Sequence, residues 1–200
     1  MRRYLVVSIL FLCSHAQAET PCFDLIQNSV KLLRPAPTSF KPKSDSTDFG
    51  TDAKENDWGQ ISGTVEKPIL DLYRKLQDPK TIRNGDNTRV DVTVIQAKDF
   101  LKKIVEKIVV KPVFFITIEW TEEWAFGLKK GSADKPQEIV ISYQKSEGTS
   151  HIKHLCGNIL LQSLTPTSTG VYIYEEVQAD RRTAEDVLKG ITGTLRTLRE

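Results

Sequence analysis

From Val113 to Phe126 the even-numbered positions run Phe114, Ile116, Ile118, Trp120, Trp124 and Phe126, interrupted only at Glu122, with Thr117, Glu119, Thr121 and Glu123 between them. Strand side chains alternate between faces, so this is one long strand with a single aromatic-rich face. Such a face has to be covered by another element, and the covering element decides what the chain can do. Glu122 falls on the covered face between two tryptophans. Either it projects inward, as a polar anchor for a ligand hydroxyl or a proton donor, or the strand bulges near Glu122 and Glu123 and leaves both in water.

The flanking segments supply the cover. Trp58 to Val65 mixes β-formers with Gly59 and Gly63 and reads as a first, curved strand. Pro68 opens a short helix whose apolar stripe is Ile69, Leu70, Tyr73 and Leu76, ended by Asp78-Pro79. Val90, Val92 and Val94 alternate as a strand. Residues 97–110 fit either a helix or a strand, with strand favoured in the second half. Glu138 to Lys145, Ile152 to Leu164 and Gly170 to Gln178 continue a run of antiparallel strands joined by short loops. Arg182 to Arg199 closes the chain as an amphipathic helix: Ala184, Val187, Leu188, Ile191, Leu195 and Leu198 share one side, and Thr183 with Asp186 forms a capping box. One antiparallel sheet with its helices on one face belongs to the α+β class.

The first 18 residues read as a cleavable signal peptide, with Arg2 and Arg3 ahead of the apolar run Leu5 to Leu12 and Ala16-Gln17-Ala18 after it. The expected location is therefore periplasmic or extracellular. Of the 28 basic residues Arg2 and Arg3 leave with that peptide, which balances the 26 acidic ones and removes any electrostatic footprint for nucleic acid. No later stretch has the apolar length of a transmembrane helix. Residues 19–34 read as an N-terminal amphipathic helix, 35–57 as a linker or long loop, and 58–200 as the main domain. Cys22 and Cys156 survive cleavage; they form either a bridge tying the N-terminal segment to the domain or two separate thiols.

Several segments resemble the START-like superfamily (Bet v 1-like, polyketide cyclase/dehydrase and lipid transport, SRPBCC). They are the opening strand and helix ending in Lys75-Leu76-Gln77-Asp78-Pro79, the strand Gly157-Asn158-Ile159-Leu160-Leu161, the strand Gly170-Val171-Tyr172-Ile173-Tyr174, and the last helix after Ala179-Asp180-Arg181-Arg182. The resemblance covers Trp58 to Arg199. It implies a helix-grip fold, a curved antiparallel sheet wrapped around a long C-terminal helix, with a cavity for lipids, sterols, aromatic polyketides and similar molecules. Phe114, Ile116, Ile118, Trp120, Glu122, Trp124, Phe126 and Tyr143 of the sheet and Ile191 and Leu195 of the helix are the expected ligand-binding residues. Gly190 and Gly193 each cost the helix about 1 kcal/mol relative to Ala, which room for a bound molecule would explain. The plain alternative is a filled core.

Arg181 and Arg182 precede the N-terminus of the last helix. They form either a seat for an anionic head group or surface pairs with Glu175, Glu176, Glu185 or Asp186. His151 and His154 differ by an odd number of strand positions and so point to opposite faces, which argues against a shared metal ion, and no zinc-type cluster is evident. No phosphate loop, nucleophile elbow or cofactor motif appears, so no cofactor is expected. The expected partner is a hydrophobic small molecule or lipid. Two other classes stay open: a cyclase- or isomerase-like enzyme using Glu122 with Tyr143, and a structural or interaction protein with a filled interior whose N-terminal helix docks a partner.

Overall fold

The computed structural model describes residues 21–23, 31–41, 44–78, 88–95, 102–113, 116–180 and 182–200. Eight antiparallel strands make one sheet: β1 (Ser46–Thr51), β2 (Asp57–Val65), β3 (Thr88–Ile95), β4 (Lys102–Val113), β5 (Ile116–Gly131), β6 (Pro136–Gly148), β7 (Ile152–Thr165) and β8 (Ser168–Ala179). Their spatial order is β1-β2-β8-β7-β6-β5-β4-β3. Among the described residues two helices lie on one face, α1 (Ile69–Leu76) and α2 (Ala184–Arg199). The ambiguous stretch before Val110 resolves as strand from Lys102 onward, with Ile104, Glu106 and Ile108 buried on one side.

The strands are long and interrupted by register shifts, at Thr121/Glu122 and Leu128/Lys130 along β5 and at Ile152/His154 along β7. Each shift increases local twist, which bends the sheet around the helix. Helix α2 starts at Thr183, whose Oγ1 accepts the Asp186 N–H at 3.3 Å while the Asp186 carboxylate accepts the Thr183 N–H at 3.2 Å. That reciprocal cap is the one the sequence predicts. Its stripe of Val187, Ile191, Leu195 and Leu198 packs into one core with Ile61, Trp124, Phe126, Ile141, Tyr143, Ile159 and Ile173, and α1 adds Leu72 and Leu76. At Gly59 the helix lies against bare backbone: a Cβ there would sit 3.1 Å from the Leu188 nitrogen. Gly59 therefore serves close approach of α2 to β2, a second use beside strand curvature.

The other face of the sheet is also covered, and here the structure departs from the linker expectation. Ser46–Thr51 of the supposed linker pairs with β2 as an edge strand. Residues 31–40 cross the outer face as a strap without helical structure: Leu32, Leu33, Ala36 and Phe40 pack on Val140, Leu160, Tyr172 and Tyr174. Residues 19–20 and 24–30 of the expected N-terminal helix lie outside the described residues, as does the signal peptide. The physical reason for the strap is that β6, β7 and β8 are apolar on both faces, so both need cover. Asn158, fully buried, fixes it by accepting the Leu33 N–H at 2.6 Å and donating to the Lys31 carbonyl at 3.1 Å. Arg34 lies 3.8 Å above the Trp58 ring, and a disulfide joins Cys22 to Cys156 across 134 residues. Of the two readings left open for those cysteines, the bridge is the one found.

Candidate functional site

A cleft of about 250 Å³ opens between the sheet and α2 where the helix carries Gly190 and Thr194 instead of large side chains. Its sheet wall is Trp120, Trp124 and Tyr143 from β5 and β6, with Leu155, Ile159 and Ile173 at its base. Trp124 and Tyr143 stack with ring centroids 4.3 Å apart and planes 14° from parallel. Gly157 on the neighbouring strand makes this stack fit: a Cβ there would come within 2.1 Å of the Tyr143 ring.

Polar groups gather at one end. The Tyr143 hydroxyl donates to Glu175 Oε2 at 2.9 Å, and Arg182 donates to Glu175 Oε1 at 3.0 Å. Arg182 is thus one cation of an ion pair at the rim of the cleft, while Arg181 lies outside the described residues. A ligand at this end would meet a hydroxyl, a carboxylate and a guanidinium held in one network, which suits a hydroxyl or carbonyl oxygen better than a bare anion.

Glu122 is fully buried, so the solvated alternative is not the one adopted. The bulge is present at Thr121/Glu122, yet it turns the carboxylate between the indoles. Trp120 Nε1 donates to Glu122 Oε1 at 2.7 Å and Trp124 Nε1 to Oε2 at 3.0 Å. One carboxylate therefore sets the orientation of both cleft tryptophans, each oxygen holding one indole. Glu106, also buried, is the register partner of Glu122 on β4.

The other predicted ligand residues divide. Trp120, Trp124 and Tyr143 line the cleft. Ile191 and Leu195 are core residues packed against the sheet, and the helix presents Gly190 and Thr194 to the cleft in their place. Phe126 is core as well, set edge-on to Tyr73 at 5.8 Å. Ile118 joins a separate cluster with Val90, Ile108 and Trp120, toward β3 and beyond the reach of α2. Phe114 lies outside the described residues and Ile116 begins β5. Gly190 does adjoin the open space: a Cβ there would meet only Arg182 Nη2, at 3.4 Å, and one at Gly193 nothing within 4 Å.

The pairing of Arg182 with Glu175 is one of those the sequence offered, whereas the bond from Tyr143 to Glu175 and Gly157 as the seat of the Tyr143 ring were missed. The run Gly170 to Tyr174 is apolar at every position after the glycine, so nothing in it tells which face Glu175 shares. His151 and His154 do stay apart, bound to Asp180 at 2.9 Å and Glu176 at 3.0 Å. His154 nonetheless joins a cluster the sequence did not reveal, with Cys22, Cys156 and Glu176, on the strap side of the sheet.

No family model matches the chain, and no curated protein matches it by sequence. Solved structures do match by shape. The human StarD13 lipid transfer and protein localization domain superposes with a TM-score of 0.54 at 10% identity, over 80% of this chain and 82% of that one. Human STARD10 gives 0.54 at 12%, over 80% and 71%. This is the START-like helix-grip fold. The Zhui aromatase/cyclase from Streptomyces superposes with a TM-score of 0.43 at 14% identity, over 70% of this chain and 85% of that one. Among the described residues, no helix is long and apolar enough to cross a membrane.

Proposed function

We propose that this START-like protein is an exported carrier for a lipid or other hydrophobic small molecule, held between the sheet and the C-terminal helix. The observation that carries the reading is the cleft itself, in which two tryptophans and a tyrosine face the helix at its glycine while the Tyr143, Glu175 and Arg182 network waits at one end. The StarD13 lipid transfer domain lends the fold a precedent. The space suits a compact molecule with a flat or ring-bearing apolar body and one oxygen-bearing end, since drug-sized ligands occupy clefts from about 300 Å³ upward. Export rests on the signal-peptide pattern at the N-terminus. The reading as an enzyme would call on Glu122 and Tyr143, and each is committed to holding the wall: Glu122 to the two indoles, Tyr143 to Glu175.

The test is native mass spectrometry of the protein after incubation with a lipid extract, followed by tryptophan fluorescence titration with whatever binds. A bound mass that perturbs the fluorescence supports the carrier. A protein that stays ligand-free across extracts of different origin refutes it.

A further inference from the structure

The cluster on the outer face is built from two adjacent strands and the segment around Cys22. Cys156 and Glu176 are register partners on β7 and β8, and His154 lies two residues before Cys156. Cys22, in the short segment 21–23, packs in one cluster with Leu33 of the strap and is bonded to Cys156. The His154 Nε2 atom stands 3.6 Å from Cys22 Sγ and 3.0 Å from Glu176 Oε1, and one ligand atom from each of the four residues lies within 4.8 Å of all the others. In a tetrahedral zinc site, bonds of about 2.3 Å to sulfur and about 2.0–2.2 Å to nitrogen and oxygen set the ligand atoms roughly 3.3–3.8 Å apart. His154 already meets that spacing toward Cys22, His154 and Glu176 must part slightly from their hydrogen-bonded 3.0 Å, and the two sulfurs must separate. Glu176 is steadied by the Tyr174 hydroxyl, which donates to its other oxygen at 2.7 Å, the kind of outer hydrogen bond that orients a metal ligand. A surface depression of about 570 Å³ leads to Cys22, His154 and Glu176, with Lys54 and Lys153 on its walls. Two thiolates and a carboxylate around a divalent ion leave one net negative charge, and the walls, with Asp52 set against Lys54 and Lys153, carry one net positive charge to offset it.

We propose that Cys22, Cys156, His154 and Glu176 form a redox-gated zinc site, so that the strap is fastened to the sheet by the disulfide when oxidised and by the metal when reduced. The exchange balances as follows. A dithiol reductant attacks the Cys22–Cys156 bond by thiol–disulfide exchange, gives up two electrons and closes to its own disulfide, while Cys22 and Cys156 take two protons. Zinc then displaces both protons and is held by two thiolates, His154 and Glu176. The oxidised pair offers no charged sulfur, so the two fasteners exclude each other. The site lies on the face of the sheet opposite the cleft and does not depend on the carrier reading.

The experiment uses the full chain carrying Cys13→Ser, leaving Cys22 and Cys156 as the sole thiols. It is prepared oxidised, or reduced with a phosphine that does not compete for metal. Zinc affinity is read against a chromophoric chelator, and cobalt(II) is added separately to look for thiolate-to-metal charge-transfer absorption. The expected result is one equivalent bound by the reduced chain, with that absorption, and at least about 100-fold weaker binding by the oxidised chain. His154→Ala should weaken binding by about tenfold or more. Limited proteolysis gives a second readout: zinc should restore protection of residues 31–41 in the reduced chain and fail to do so in His154→Ala. Equal binding by oxidised and reduced chains, or undiminished binding by both His154→Ala and Glu176→Gln, would overturn the proposal by reducing the site to an adventitious ion or a bare dithiol.

Discussion

Replacing Gly157 by Ala should destabilise the protein even though local propensity argues the opposite. Gly is costly inside a strand, and Ala would be favoured by roughly 0.5–1 kcal/mol on chain entropy alone. The structure reverses the sign. The added methyl would lie 2.1 Å from Tyr143 Cζ and 2.2 Å from its hydroxyl oxygen, well inside van der Waals contact. Tyr143 is buried, stacked on Trp124 and bonded to Glu175, so its ring has little room to yield. Overpacking of this kind costs about 1–3 kcal/mol, and losing the hydrogen bond to the Glu175 carboxylate adds about 1.5–3 kcal/mol. The net loss should be about 2–5 kcal/mol, read as a fall in Tm of roughly 5–15 °C. Thermal and urea denaturation followed by tryptophan fluorescence would measure it. In a Tyr143→Leu background the clashing atoms are gone, and the same Gly157→Ala change should be neutral or stabilising, a coupling of at least about 2 kcal/mol between the two sites. A Gly157→Ala protein as stable as the wild type, or equal effects in both backgrounds, would refute the reasoning.

Three further outcomes are expected. Glu122→Gln turns one acceptor oxygen into a donor, leaving one of the two indole N–H groups without its acceptor, at a cost of about 1–3 kcal/mol; unchanged stability and fluorescence would mean that the carboxylate does not hold the tryptophans. Gly193→Ala meets nothing within 4 Å and should stabilise α2 by about 0.5–1 kcal/mol with no change in ligand binding, a result checked by paired denaturation and titration. Burial acts to raise the Glu176 carboxyl, but hydrogen bonds from His154 and Tyr174 outweigh it and hold the group below its usual 4.5. A carboxyl lowered on folding contributes stability that is present above about pH 4.5 and lost as the pH falls through its folded value, so Glu176→Gln should flatten the stability profile below that point; parallel profiles for the two proteins would count against it.

Much of the fold was legible because periodicity reports burial on one side of an element at a time. The alternation from Ile118 to Phe126, the stripe on α2 and the Thr183/Asp186 cap all translate one-sided patterns directly into structure. Legibility failed where burial was two-sided. Val140, Leu160, Tyr172 and Tyr174 were plain in the sequence as apolar residues, but their meaning, a second covered face, needs Leu33, Arg34 and Phe40 to arrive from more than 100 residues away. The same limit hid the Cys22, His154, Cys156 and Glu176 cluster, since no local spacing relates Cys22 to β7. In the cleft the aromatic wall was foreseen and the helix wall was displaced by one position, from Ile191 and Leu195 to Gly190 and Thr194. A helical stripe locates the residues that fill space, whereas a ligand lies beside those that leave it.

Helix α2 is immobilised at three points along its length: its backbone rests against Gly59, the Thr197 carbonyl takes a bond from Lys75, and Arg199 clasps Asp45 and the Thr64 carbonyl. A floor so fixed cannot sink to admit a bulkier guest. Any enlargement of the chamber must come from the sheet side, where Trp120 leads on to Val90 and Ile108 of the outer strands and Val92 and Val94 stand open to water. In the proposed carrier, entry and exit then belong to the outer strands, with the helix as the stationary part.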